Sequence, residues 1–240
     1  MKTWQQYNDK PDNGKFLIKF MSETNLFRFF NNGQLWFSRA DQFGDKMECV
    51  TINDLKAENF PFDKLIERKH KHLISCWHNV GRESISMWDA SYESLSDRRV
   101  YAIKFKTDEL IKLIQPATFT TDIENLIKEN LFGRVVYKNL LKDRDELDID
   151  KMKRVAFRKE YSFSYEQEFR FVVKGNKVFK DKGYGLNIGD PMTLDYSIMV
   201  NPLLVKGDYK AYLNKLKAHP VGSEKYQDSE LVGWLKPLEW

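Results

Sequence analysis

Short strand-like segments, in which apolar and aromatic residues alternate or run together, are the feature that most constrains the fold of this chain. They occur at residues 16–20, 34–38, 73–77, 99–105, 134–137, 166–173 and 197–200. Apolar residues at helical spacing occur at 22–30, 61–72, 84–92, 110–114 and 209–218. The strands outnumber the helices and do not alternate strictly with them. The sequence therefore predicts an α+β fold built on a mostly antiparallel, twisted sheet flanked by short helices.

Length, charge and cysteine content narrow the class of protein. The 240 residues carry no internal repeat and no linker rich in Pro, Gly or Ser, which predicts a single domain over residues 1–240. The net charge of only +4 disfavours a general nucleic-acid binder but fits a pocket in which a few basic side chains meet one dinucleotide. No apolar run approaches the roughly 20 residues of a membrane span, and residues 1–6 lack the apolar core of a signal peptide. Since Cys49 and Cys76 make no disulfide framework, we expect a cytoplasmic protein with reduced thiols and no membrane contact.

The segment from Tyr165 to Phe171 has the sharpest local pattern. If it is a strand, residues two apart share a face, so Glu166, Glu168 and Arg170 point to one side. Two carboxylates about 7 Å apart beside a guanidinium can hold a sugar hydroxyl and stabilise an oxocarbenium-like carbon. The alternative is an ordinary two-faced strand whose polar side lies in water.

A group of polar residues follows the strand at 34–38. Ser38 ends this strand, and Asp45 and Glu48 come shortly after it, in a loop where binding residues often lie. Asp45 and Glu48 can hold a cation or a ligand hydroxyl. Alternatively, Asp45 forms a turn after Gly44.

Two other polar segments are less specific. His70, His72, Cys76 and His78 lie close together in the sequence, but no standard zinc-ligand spacing is present, so no metal is expected. A dense mixture of charged residues at 143–160 predicts a solvated helix or a mobile loop.

Trp88 and Tyr92 are the aromatic residues with the clearest functional spacing. On a helix, residues four apart lie over the same turn. The pair either packs into the core or forms a stacking platform for a base or a nicotinamide ring.

In order and spacing, these segments resemble the uncharacterised bacterial family called domain of unknown function 2971, over nearly the whole chain. The matching residues are Phe16 to Phe20, Leu35 to Ser38 with Phe43, Asp45 and Glu48, Ile74 to Trp77 with Met87, Trp88 and Tyr92, Val136 with Tyr137, Tyr165 to Arg170, Asn201 with Pro202, and Ser229 to Leu231.

More distantly, the layout resembles the ADP-ribosyltransferase superfamily, whose members consume NAD. The resemblance implies that Lys19, in the early-strand position, contacts NAD and that Trp88 or Tyr92 stacks the nicotinamide. It implies that Glu168 hydrogen-bonds the ribose 2′-hydroxyl and stabilises the oxocarbenium ion as nicotinamide leaves, while Glu166 orients or deprotonates the acceptor. The expected substrate-binding residues are Lys19, Ser38, Asp45, Trp88, Tyr92 and Arg170.

The activity that this resemblance implies is a transferase or an NAD glycohydrolase of the toxin or phage-defence type, with a protein or nucleic-acid acceptor. The alternative is a non-catalytic nucleotide or nucleic-acid binding module of a bacterial defence or mobile-element system. Such a module would use Lys174, Lys177, Lys180 and Lys182, whose spacing also fits a polar hairpin.

Overall fold

A large, mostly antiparallel β-sheet with short helices is the main feature of the computed structural model, which confirms the predicted α+β class. The structure describes residues 2–7, 16–80, 82–89, 99–139 and 155–235. Within these ranges, no helix has the length and apolar character needed to cross a membrane. The chain divides into two units, described separately below, and the single domain over 1–240 stays a prediction. Unit 1 contains Met1–Pro11, Leu35–Cys76 and Ala117–Leu186, and unit 2 contains Asp12–Gln34, Trp77–Pro116 and Asn187–Trp240.

The described strands and helices are the following. The strands are β1 (Trp4–Gln6), β2 (Phe16–Met21), β3 (Gln34–Arg39), β4 (His72–Val80), β5 (Tyr101–Lys106), β6 (Thr118–Phe119), β7 (Ile127–Arg134), β8 (Val136–Lys138), β9 (Arg158–Glu160), β10 (Glu168–Gly175), β11 (Gly183–Asn187) and β12 (Ser197–Val200). The α-helices are α1 (Glu23–Asn32), α2 (Ile52–Lys56), α3 (Phe62–His70), α4 (Ile85–Asp89), α5 (Thr107–Ile114), α6 (Lys206–Lys217), α7 (Pro220–Lys225) and α8 (Val232–Leu235).

Unit 1 is built around β7 and β10, which pair antiparallel, while β1 pairs with β7 in parallel. In the sheet order β10 is followed by β4, and β3 pairs antiparallel with β4. Strands β8 and β9 form a separate parallel pair. Ile74, Leu131, Phe157 and Val172 belong to the buried apolar cluster of this unit. Every residue of β10 from Glu168 to Val173 is buried, so the expectation of one strand face in water is wrong here.

Unit 2 is built around β2, which pairs antiparallel with β4 on one side and with β5 on the other. Strand β12 continues the antiparallel order after β5. Its buried apolar cluster contains Ile18, Trp88, Ala102 and Met199. These residues come from three strands and α4, so the unit has a core of its own.

The charge-dense stretch at 143–160 differs from its prediction where it is described. Residues 143–154 lie outside the described residues. Val155–Phe157 is a buried 3-10 helix, and Arg158 and Lys159 at the start of β9 are buried as well. The expectation of a solvated helix or mobile loop is therefore wrong for 155–160, because buried acceptors elsewhere in unit 1 pair with these cations.

Helix α1 shows how the sequence sets the end of an element. It buries Leu26, Phe29 and Phe30, and it ends at Gly33, whose φ of 61° lies in the left-handed region. A Cβ atom at Gly33 would lie only 2.0 Å from the carbonyl oxygen of Gly189. Both the backbone conformation and the close approach therefore require glycine.

We expect Gly33→Ala to lower the free energy of unfolding by about 1–2 kcal/mol from the left-handed backbone alone, with an added cost for displacing Gly189. Urea unfolding followed by circular dichroism measures this. Gly207 on α6 is the matched control in the same unit, since no atom lies within 4 Å of a Cβ added there. Gly207→Ala is expected to leave stability unchanged or raise it. Equal effects of the two substitutions would contradict this account of Gly33.

Candidate active site

Arg170 is the centre of a buried charged cluster in unit 1. Its side chain is fully buried on β10 and donates to both carboxylate oxygens of Glu48, from Nη1 at 2.8 Å and from Nη2 at 2.9 Å. Nε donates to Glu168 Oε2, and Nη1 also donates to the carbonyl oxygen of Ala156 at 2.6 Å. The two carboxylates supply the hydrogen-bonded negative charges that a buried guanidinium requires.

Lys159 on β9 joins the two carboxylates that the sequence singled out. Its Nζ atom donates to Glu166 Oε2 and to Glu168 Oε1, the latter at 3.3 Å. The side chain of Glu168 is 9% exposed and that of Glu166 is 16% exposed. Glu168 thus bridges Lys159 and Arg170, whereas Glu166 lies on the more open side of Lys159.

The backbone between the two carboxylates differs from the predicted strand. Tyr161–Glu166 is a 3-10 helix, Gln167 adopts a left-handed conformation with φ of 43°, and β10 begins only at Glu168. The expectation that Glu166 shares a strand face with Glu168 is therefore wrong. A left-handed residue and a common lysine bring the two carboxylates together instead. The backbone N–H of Glu168 donates to the Tyr137 hydroxyl oxygen at 2.8 Å, which fixes the start of the strand.

Glu48 is presented by the loop 45–50, whose backbone carbonyl groups accept hydrogen bonds from three cationic side chains. These bonds run from Lys69 Nζ to the Lys46 oxygen at 3.2 Å, from Arg68 Nη1 to the Cys49 oxygen at 2.9 Å, and from Arg158 Nη2 to the Val50 oxygen. Cys49, next to Glu48, has a φ of 61°. Among the described residues, the non-glycine residues with positive φ are Cys49 and Gln167. Each of them is next in sequence to one of the two carboxylates that pair with Arg170, so the strained backbone positions lie beside these carboxylates.

The environments of the two carboxylates shift their pKa values in opposite directions. Burial alone would raise the pKa of Glu168, but the positive charges of Arg170 and Lys159 outweigh it and lower the pKa well below its usual range. Burial, together with the hydrogen bond and the negative charge of Glu168, raises the pKa of Glu166 to about 7. Glu168 is therefore ionised at neutral pH, while Glu166 exchanges a proton there.

Ser38 and Asp45 also lie in unit 1. Ser38 is half-buried on β3, opposite Ile74 of β4. Asp45 Oδ1 accepts a hydrogen bond from the backbone N–H of Met47 at 2.8 Å. This bond matches the alternative prediction that Asp45 forms a turn. Binding of a substrate by Ser38 or Asp45 stays a prediction.

Lys19 and Trp88 belong to unit 2. Lys19 is half-buried on β2, with Nζ 5.3 Å from the centre of the Trp77 ring. Trp88 is fully buried, packs nearly perpendicular to Phe20 at 4.7 Å, and donates from Nε1 to Glu83 Oε2 at 3.1 Å. This surrounding matches the core-packing interpretation of Trp88. Tyr92 lies outside the described residues.

The sequence reasoning missed Lys159 and did not link Glu48 to Arg170. Lys159 lies in a charge-dense stretch whose composition predicts a solvated segment. The apolar residues 155–157 directly before β9 were the signal that this part of the stretch enters the core. Nothing local in the sequence indicates that Glu48 meets Arg170, 122 positions further along the chain.

Within the described ranges, no three or more His, Cys, Asp or Glu side chains are grouped so that they could hold a metal ion. His72, one of the histidines that the sequence brought forward, is buried with Nδ1 at 2.8 Å from the carbonyl oxygen of Arg68.

Comparisons of this chain with protein-family models, with curated proteins and with solved structures find no match. The resemblances stated from the sequence therefore stay predictions.

Proposed function

We propose that this chain cleaves the bond between nicotinamide and ribose in NAD, as an ADP-ribosyltransferase-like enzyme or an NAD glycohydrolase. The observation that carries the proposal is the carboxylate pair Glu166 and Glu168, which share Lys159 while their pKa values shift apart. Two adjacent carboxyl groups with different protonation states can divide the tasks of charge stabilisation and proton transfer. The resemblance of the segment around these residues to a catalytic Glu-x-Glu gives further support.

Glu168 is the group that stabilises the oxocarbenium ion in this proposal. Each of its oxygens already accepts from a cation, Oε1 from Lys159 and Oε2 from Arg170. A carboxylate oxygen has more than one acceptor site, so each can take a further hydrogen bond, here from the ribose 2′-hydroxyl. The paired cations keep Glu168 ionised and fixed in orientation, which electrostatic stabilisation of a developing positive charge requires.

Glu166 is the general base. The C1′–N bond breaks, its electron pair stays on the nicotinamide nitrogen, and neutral nicotinamide leaves. An oxygen of water or of an acceptor then bonds to C1′, and the Glu166 carboxylate takes the proton of that oxygen. A pKa of about 7 suits this role, because a base works best when its pKa lies near the operating pH.

Arg170 acts through Glu168. Its described partners are Glu48, Glu168 and the Ala156 carbonyl, and its side chain is fully buried, so we propose a positioning role in place of direct substrate contact. Ser38 and Asp45, in the same unit as Glu168, keep the binding roles proposed for them from the sequence, and binding by Lys19 stays a prediction from the sequence.

Release of nicotinamide from NAD tests the proposed function. We expect release by the wild-type protein, with water or with added protein or nucleic-acid acceptors, and a loss of about a hundredfold or more in Glu168→Gln. The control is Glu129→Gln in the same unit, since Glu129 forms a partly exposed ion pair with Lys174 and lies in no part of the proposed machinery. It is expected to keep the wild-type rate.

Circular dichroism and the thermal midpoint establish that each variant is folded. If Glu168→Gln does not fold, Glu166→Gln takes its place. The rate of the wild-type protein is expected to rise as Glu166 loses its proton near pH 7, and Glu166→Gln is expected to show no such rise. Wild-type protein that releases no nicotinamide, or folded Glu168→Gln that releases it at the wild-type rate, would exclude this function.

A further inference from the structure

Tyr137 on β8 lies beside the carboxylate pair but takes no part in the steps proposed for Glu166 and Glu168. Strand β8 pairs in parallel with β9, and Tyr137 is the register partner of Lys159. Side chains of register partners project to the same face of two paired strands, so the phenol and the ammonium group share a face. Lys159 donates to Glu166 and Glu168. Tyr137 is therefore a neighbour of both carboxylates.

The hydroxyl group of Tyr137 uses only part of its hydrogen-bonding capacity. Its oxygen accepts from the backbone N–H of Glu168 at 2.8 Å. A phenol hydroxyl can also donate its own proton, and in the part of the chain that the structure describes this proton has no acceptor. Because Tyr137 is only half-buried, part of it stays accessible to a bound molecule.

The surroundings keep this hydroxyl group protonated. Burial raises the pKa of Tyr137 above its ordinary value of 10, and the negative charge of Glu168 raises it further. The group is therefore a hydrogen-bond donor at neutral pH and does not act as a base. The bond that its oxygen accepts from Glu168 also polarises the O–H bond, which makes the hydroxyl a stronger donor.

The neighbouring charge decides which kind of oxygen this donor serves. Among the charges that act on Tyr137, the strongest is the negative charge of Glu168, so an anionic oxygen bound there would be repelled. A neutral sugar hydroxyl avoids this repulsion. In a vicinal diol, one hydroxyl can donate to the Glu168 carboxylate while the oxygen of its neighbour accepts from Tyr137. An acceptor and a donor held side by side thus match a diol.

We propose that Tyr137 is a substrate-binding residue that donates to the 3′-hydroxyl oxygen of the nicotinamide ribose, while Glu168 accepts from the 2′-hydroxyl. The two residues together select ribosides with a free vicinal diol. This role rests on the cleavage of NAD proposed for the carboxylate pair. It adds a requirement of its own, because the 3′-hydroxyl takes no part in breaking the bond at C1′.

The test compares nicotinamide release from NAD with release from an analogue whose nicotinamide ribose lacks the 3′-hydroxyl. We expect wild-type protein to lose about tenfold in kcat/KM on the analogue, the effect of one lost hydrogen bond. Tyr137→Phe is expected to lose about tenfold on NAD, by the same reasoning, and nothing further on the analogue. A purely structural effect on Glu168 would instead lower the rates on both substrates by the same factor.

Tyr184→Phe is the matched control. The hydroxyl oxygen of Tyr184 accepts from the backbone N–H of Asp181 at 3.2 Å, so the same kind of bond is lost at a different loop of the same unit. This variant is expected to keep the wild-type rate on both substrates.

The outcomes separate the role of Tyr137 from the enzyme activity itself. Wild-type protein that releases no nicotinamide from NAD rejects the activity and this role with it. If the wild type is active, equal rates on NAD and the analogue, or equal losses of Tyr137→Phe on both, overturn the role of Tyr137 alone. The comparison of the two substrates with wild-type protein applies even if Tyr137→Phe does not fold.

Discussion

Arg170→Met is expected to lower the free energy of unfolding by about 3–5 kcal/mol, the range measured when one partner of a buried ion pair is removed. Arg170 is fully buried and supplies hydrogen bonds to Glu48 and Glu168. Without it, two buried carboxylates face each other, and burial already favours the neutral form of Glu48, whose pKa it raises. Glu168 keeps its bond from Lys159, but the variant must leave Glu48 ionised without its guanidinium partner or protonate it, and each choice costs stability.

Chemical denaturation at neutral pH measures this loss. Lys174→Met is the matched control, because Lys174 lies on the same strand but forms a partly exposed ion pair with Glu129 at 3.3 Å. Partly exposed pairs of this kind contribute about 1 kcal/mol or less. The double variant Glu48→Gln, Arg170→Met is expected to recover part of the loss, since the carboxylate that loses its guanidinium partner is gone. A loss below about 1 kcal/mol in Arg170→Met would show that the cluster does not hold unit 1 together.

The second large effect is a pH dependence of stability that comes from Glu166. Its pKa is about 7 in the folded chain, against an ordinary value of 4.5. Between these two pH values the folded chain holds more protons than the unfolded chain. The contribution of this group is therefore fully present below about pH 4.5 and is lost as the pH rises through 7, by about 2–3 kcal/mol.

The comparison of wild type with Glu166→Gln isolates this contribution. Burial lowers the pKa of His72 to about 4, so His72 makes the fold more stable as pH rises from about 4 to its ordinary value of 6.5, which opposes the effect of Glu166. The difference between the two proteins cancels the His72 contribution. Glu168 stays ionised over this interval, because Arg170 and Lys159 overcome the effect of burial and lower its pKa.

We expect Glu166→Gln to gain about 2–3 kcal/mol relative to wild type between about pH 5 and pH 8, because a glutamine carries no proton to lose. Urea unfolding at a series of pH values measures the gain. A difference between Glu166→Gln and wild type that does not change with pH would mean that Glu166 titrates alike in the folded and unfolded chains.

The fold class and several elements could be predicted because they depend on local patterns. The helix from Ser22 onward was predicted from its cap position and its stop at Gly33, and the structure places α1 at Glu23–Asn32 with Gly33 at its end. The strand at 197–200 coincides with β12. Spacing of apolar residues and a glycine stop act within a few residues, so the sequence carries them directly.

The candidate site was predicted in part. The sequence singled out Glu166, Glu168 and Arg170, and these three lie together in one cluster. The predicted arrangement was one strand face shared by all three residues. Glu168 and Arg170 do lie on one strand, but Glu166 precedes that strand. Gln167 could not be expected to take a left-handed conformation, because outside glycine such a conformation is held by the surrounding structure.

By itself, the sequence determined an α+β chain with a mostly antiparallel sheet and placed an acidic pair beside an arginine. Only the tertiary structure decided which charges meet, since Glu48 reaches Arg170 from a loop far away in the chain and Lys159 comes from a separate strand. Pairing of buried charges is a property of position in space, and distance along the chain does not encode it. The opposite pKa shifts of Glu166 and Glu168 follow from that pairing and from burial.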